Sequence, residues 1–273
     1  MADLKLGRNP PKHGPKAGAV MDHPATQTFK LGKRAPVHDP RTLRFGSYLM
    51  KTIAPPPVAQ DWGVSIANWG MMGNDAYGDC TIAAAGHMIM DWTLMAERAM
   101  FTAPDADILK FYNHFAHGVA DAGANMLDVL KYWRKHGLDT HKITAFMALQ
   151  PQSHIEAMDA VNLLDGLYIG VALPDSAVPP GANWLAIPWQ VPPGGPVGAA
   201  APNPQNGHCI PAVGYDQHNL YVVTWGALKS MSWEFYDAYA DEAYAVLSPD
   251  WVNTHPAPNG FDLATLLADL KTL

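Results

Sequence analysis

The chain has 273 residues, 48% of them hydrophobic and 16% charged, which is enough apolar material for a substantial core and excludes global disorder. Its net charge of −7 conceals a division, because residues 1 to 51 carry ten Lys and Arg against three Asp and Glu, whereas the remainder carries eight against 22. No apolar run approaches the roughly 18 residues of a membrane-spanning helix, and the polar, basic start lacks the apolar segment of a secretion signal. Two cysteines are too few for a disulfide scaffold or a zinc site of thiolates, so the expectation is a soluble, cytoplasmic protein.

Residues 1 to 50 show repeated Pro and Gly and no sustained period, which predicts an extended basic arm. Neither interleaved aromatics nor a basic helix accompanies the charge, so the arm is expected to lie along its own acidic body or a neighbouring subunit's, rather than on nucleic acid. The body spans 51 to 260. Asp61-Trp62 leads there to a turn at Gly73, Asn74, Asp75 and Gly78, after which Asp79 to Ala99 is free of proline and rich in Ala, Ile, Met and Leu. This predicts a helix of about five turns, apolar nearly all round and therefore central.

Further helices are expected at 105 to 117, at 125 to 136 between an Asn125 cap and a Gly137 stop, and at 153 to 165 from Ser153. After Gly166 the texture turns to strands, at 167 to 173, 208 to 215, 220 to 225 and 243 to 247, the second and third forming a hairpin around Asp216 to Asn219. Residues 174 to 206 hold nine of the 24 prolines; so long a loop, ending just before His208, suits the rim of a cleft. Asp262 caps a closing helix within 261 to 273 whose Leu263, Leu266, Leu267 and Leu270 share a face.

Cys80 stands at the first turn of the central helix, where unpaired backbone N–H groups and the helix dipole favour a thiolate. A nucleophile of this kind needs a base. His208 opens a strand directly after the long loop, with Gly207 leaving room before it, while strand alternation turns Cys209 into the core. Asp79 is left out as a catalytic residue because capping explains it and its charge would oppose a thiolate. His114 and His117 lack further metal ligands, and His87 with Met88 to Met90 suits core packing. Trp184 and Trp189 either shape substrate subsites or seal the loop. No phosphate loop, dinucleotide fingerprint or Gly-x-Ser-x-Gly elbow occurs, so no cofactor is implied.

These residues carry a resemblance, from about 55 to 248, to the papain-like cysteine peptidase superfamily. Asp61-Trp62 resembles the start of its mature enzymes, and Asn74 stands six residues before Cys80, where the family places the amide of its oxyanion hole. Gly123 to Gly137 is similar to the segment lining its cleft, and His154 to Val171 to its helix-then-strand entry into the second lobe. His208 to Tyr215, with Val213-Gly214-Tyr215, matches the catalytic histidine's surroundings, and Trp225-Gly226 resembles the end of Asn-Ser-Trp-Gly.

The resemblance implies an α+β, papain-like two-lobed fold, with a helical lobe at about 62 to 165 around the Cys80 helix and an antiparallel, β-barrel-like lobe at about 166 to 250. It implies a thiol peptidase acting on peptide or protein substrates through Cys80 and His208, with Asn74 and the Cys80 N–H holding the oxyanion. Two departures stand against it. Val223 or Thr224 takes the place of the orienting Asn, and Gly78-Asp79-Cys80-Thr81 replaces the usual Cys-Gly-x-Cys-Trp. They keep open a module that has lost turnover and serves a binding or structural role, and the same machinery would serve an amidase or acyltransferase. The arm's position suggests a pro-segment or a strand through the cleft.

Overall fold

The computed structural model describes residues 29–97, 99–116, 121–178, 189–252 and 260–272. Helix α1 (Cys80–Glu97) buries Ile82, Ala83, Ala85, Met88, Ile89 and Trp92 around its whole circumference, so the other elements enclose it. Gly86 permits this, since a Cβ there would lie 2.5 Å from the Met72 sulfur and 3.1 Å from Ile108.

Helices α2 (Asp105–Ala116) and α3 (Met126–His136) share the α1 core, where Trp133 stacks on Trp92 at 5.8 Å. The Asn125 side chain accepts from the N–H groups of Leu127 and Asp128, and Gly137, at φ 86°, ends α3. Helix α4 (His154–Leu164) starts on the Ser153 hydroxyl and stops at Asp165, which adopts the left-handed conformation at φ 55°. None of the described helices is long and apolar enough to cross a membrane.

The strands are β1 (Gln60–Asp61), β2 (Ala145–Ala148), β3 (Leu167–Ala172), β4 (Gly207–Tyr215), β5 (Asn219–Thr224), β6 (Ala227–Ser232) and β7 (Ala240–Leu247), all paired antiparallel. The sheet runs β2-β7-β3-β4-β5-β6, with β1 added on β4, and its path does not close on itself. Both β3 and β4 are buried on both faces, as sheet centres between two cores must be. Cys209 and Val213 of β4 join the core of α1, while Ile210 and Ala212 join a second core with α4 and the aromatics of α5 (Trp233–Tyr239).

Helix α6 (Pro249–Val252) carries Trp251, which meets Trp62 edge-on at 5.2 Å. Helix α7 (Leu263–Asp269) buries Leu266 fully and Leu263 and Leu270 in part, whereas Leu267 remains 40% exposed. Strands β2 and β6 and helix α5 lie outside the elements expected from sequence, and β7 begins three residues before the expected run. The described part of the arm makes a 3-10 turn at Phe45–Tyr48 and bridges at Arg44 to Ala148 and Leu49 to Phe261. Residues 29 to 35 pass between the loop at 122 to 125, just before α3, and the start of β4.

Candidate active site

Cys80 is the first residue of α1, and the Asp79 carbonyl before it accepts from the N–H groups of Ile82 and Ala83 at 2.7 and 3.0 Å. Cys80 is 1% exposed, and the backbone amides of Cys209 and Gly32 act on its thiol. Burial pushes the Cys80 thiol up to about 12, with the charge of Asp79 adding to the rise and the two amides and Lys33 opposing it. Burial thus outweighs the helix N-terminus in this arrangement, and the sulfur is a thiol rather than the thiolate expected from its position. The Asp79 carboxyl is itself pushed up to about 8 by burial, against the Asn74 amide.

His208 points to the opposite face of β4 from Cys209. Its Nε2 lies 2.9 Å from Thr224 Oγ1, and its ring stacks on Trp225 with centroids 4.4 Å apart and planes 14° apart. Nδ1 is buried and has no hydrogen-bond partner among the described residues. Burial holds the imidazole down at about 3, with the positive charge of Lys33 acting in the same sense, so the ring is neutral here. Cys80 packs with Cys209 in the α1 core, whereas the His208 ring lies against Trp225 on the other face of β4, and no hydrogen bond joins sulfur and ring among the described residues.

The choice between Val223 and Thr224 follows from the β5–β6 hairpin. Thr224 pairs with Ala227, leaving Trp225 and Gly226 as a two-residue turn with φ of 44° and 74°. Positive φ at both positions is the type I′ pattern that suits strand twist, and a tryptophan at the first of them is a strained choice. It places the indole over His208 and leaves Thr224 facing the ring, while Val223 packs into the α1 core.

Asn74 lies in the loop before α1 and is 2% exposed. Its Nδ2 donates to the Tyr77 carbonyl at 3.0 Å, and its own carbonyl accepts from the Lys30 N–H at 3.0 Å. The amide is therefore turned onto its own loop.

The arm covers this constellation. Ala124 N–H donates to the Gly32 carbonyl and Arg34 N–H to the Ala124 carbonyl, both at 2.9 Å, and Lys33 N–H donates to the Gly207 carbonyl at 3.1 Å. Asn125 Nδ2 donates to the Ala35 carbonyl at 2.8 Å, and Trp225 Nε1 to that of Lys30 at 3.1 Å. Gly32 has no room for a side chain, because a Cβ would fall on the Gly78 carbonyl; one on Gly207 would meet the Lys33 carbonyl. Sequence reasoning placed the arm against the body without singling out Gly32 and Lys33, whose one signal was a positive charge opposite an acidic body.

The remaining candidates sit elsewhere. His87 is buried, with Nε2 3.0 Å from the Gly70 carbonyl and its ring edge-on to Trp69. His114 stacks on Tyr132 at 3.9 Å, and His117 lies outside the described residues. Trp189 stacks on Phe235 at 5.4 Å behind Trp225, sealing the loop, whereas Trp184 lies outside the described residues. No group of His, Cys, Asp and Glu suited to a metal occurs among the described residues.

No family model and no curated protein matches the sequence. Solved structures do match the fold. Xylellain, a cysteine protease from Xylella fastidiosa, aligns over 81% of this chain and 97% of its own at 16% identity, with a TM-score of 0.61. The ragweed pollen allergen Amb a 11, a cysteine protease in its proform, aligns over 84% and 68% at 16% identity with a TM-score of 0.54. Digestive procathepsin L 3 of Tenebrio molitor aligns over 82% and 76% at 9% identity with a TM-score of 0.53. The chain has the fold of these papain-like cysteine proteases.

Proposed function

We propose that this chain is a thiol peptidase that cleaves peptide or isopeptide bonds with Cys80 as nucleophile and His208 as base, and that it rests covered by its own arm. The observation that carries the reading is Cys80 at the start of α1 within a papain-like fold, and on β4 a buried His208 whose Nε2 is held by Thr224 and whose Nδ1 has no partner among the described residues. An orienting partner on one ring nitrogen frees the other for proton transfer, the division of labour of a nucleophile, base and orienter.

With the arm withdrawn, water returns to the sulfur and the ring, and the burial that keeps both neutral is relieved. The Cys80 proton passes to His208, and the thiolate adds to the acyl carbon. The Cys80 N–H, unpaired at the first position of α1, holds the oxyanion together with the Asn74 amide once it swings off Tyr77. His208 then gives its proton to the leaving amine as the C–N bond breaks. Water attacks the resulting thioester, His208 takes its proton, and the released thiolate recovers that proton as the acid departs.

The test is hydrolysis of a fluorogenic peptide library by the full chain carrying Gly32→Val, which cannot seat the arm. That variant is expected to exceed the unaltered chain by about tenfold or more, and adding Cys80→Ala or His208→Ala to abolish the activity. A folded Gly32→Val chain that cleaves nothing contradicts the reading and favours a binding module. Transfer of the acyl group to an added amine in preference to water would make it an acyltransferase.

A further inference from the structure

We infer that the pocket now filled by Lys33 is the substrate's side-chain pocket, and that it selects a lysine or arginine beside the residue seated on Cys80. The inference deepens the peptidase reading and rests on it for the word substrate.

Lys33 is the single buried residue between positions 29 and 44, and its side chain is 1% exposed. Its neighbour Gly32 is packed onto the Gly78 carbonyl two residues before Cys80, and its amide acts on the Cys80 thiol, so Lys33 follows the arm residue seated at the nucleophile. The ammonium lies 2.8 Å from Asp241 Oδ2, 3.5 Å from Glu242 Oε1 and 3.3 Å from the Arg34 carbonyl. Tyr244 donates to the other oxygen of Glu242 at 3.0 Å and fixes that carboxyl.

Consecutive residues of a strand face opposite sides of a sheet, yet Asp241 and Glu242 both reach one cation. The register between β3 and β7 explains this. Gly170 pairs with Glu242 and Val171 with Ala240, so Asp241 is an extra residue in a bulge, and its side chain is redirected towards its neighbour's. Gly170 also supplies the floor, because a Cβ there would overlap the Lys33 stem and come 2.7 Å from the Met126 sulfur and 2.8 Å from Glu242. A bulge, a missing side chain and two carboxyl groups thus form a narrow slot with a negative end.

The slot is coupled to a peptide-binding edge. The Ala124 N–H and C=O and the Gly207 C=O bond the arm's backbone on either side of Lys33, and such bonds accept any sequence. Selectivity then falls to the slot. An apolar side chain would leave Glu242, whose side chain is 7% exposed, without a countercharge, whereas lysine or arginine satisfies it.

The test uses the full chain carrying Cys80→Ala and Gly32→Val, with arm release confirmed by rapid tryptic cleavage after Lys33 or Arg34. Labelled peptides with the sequence of residues 29–36, bearing Lys, Arg or Leu at the position of Lys33, are titrated by fluorescence anisotropy. The Lys and Arg peptides are expected to bind about tenfold or more tightly than the Leu peptide, and Asp241→Asn with Glu242→Gln to erase the difference. Equal binding of all three, absence of binding, or a preference that survives the carboxamide pair overturns the inference. Hydrolysis by the Gly32→Val chain with Cys80 intact separates the two claims. Cleavage without preference for Lys or Arg sinks the pocket alone, and basic selectivity in binding without cleavage sinks the peptidase alone.

Discussion

Thr224 offers His208 one hydroxyl where the family resemblance calls for an amide, and a hydroxyl on a two-carbon side chain fixes a ring less firmly. Replacing it by valine keeps the shape and removes the only hydrogen bond found for the ring among the described residues. Thr224→Val is expected to lower kcat/KM of the Gly32→Val chain by about 10- to 100-fold, with a changed pH profile and little change in melting temperature. An unaltered pH–rate profile would mean that Thr224 does not orient the base. The sequence marked Cys80 and His208 by their settings, a helix start and a strand after a long loop. It could not separate Val223 from Thr224, because the answer depends on a two-residue turn with tryptophan at positive φ. Lys33 was illegible for another reason: a buried cation is recognised by partners 208 and 209 positions away, not by its neighbours.

Helix α1 was legible because its lack of proline and its apolar circumference state what it is and where it belongs. Strand β6 was not, since ALKSMS has little β texture and is held by pairing along β5. Asn125 caps α3 and also ties down the arm through the Ala35 carbonyl, so Asn125→Ala is expected to cost about 1 kcal/mol and to speed tryptic cleavage at Arg34.

Asp91 of α1 and Asp165 at the end of α4 are buried together, and burial holds both carboxyl groups well above the ordinary carboxylate range, with the charge of Asp61 adding to the rise at Asp91 and that of Asp91 to the rise at Asp165. For an acid raised in the folded state, the favourable contribution is present below the unfolded value near 4 and is lost as pH rises above it. Asp91→Asn keeps a hydrogen-bond donor for Asp165 and removes one titration. It should therefore raise the melting temperature at pH 8 and leave it almost unchanged at pH 4; equal shifts at both would refute the assignment.

For the whole molecule, the division of charge along the sequence acquires a location. The arm is basic and the body acidic, and Lys33 is where the two signs meet out of water. Burial keeps the thiol and the imidazole neutral, and under the proposed function reactivity belongs to the chain with its arm withdrawn. The run of helices followed by antiparallel strands was readable from the sequence, and the path of the arm was not, because backbone bonds to Ala124 and Gly207 leave no mark on side-chain identity.

The central claim, a latent Cys80 and His208 pair, is tested most directly by the pH dependence of iodoacetamide labelling, located by mass spectrometry, in the unaltered chain and in Gly32→Val. The account predicts slow labelling of the unaltered chain, and in Gly32→Val rapid labelling confined to Cys80 that persists well below the free-thiol pKa of about 8.5 and is lost with His208→Ala. Labelling of Cys80 and Cys209 alike, rising only with ordinary thiol ionisation and indifferent to His208, would contradict it.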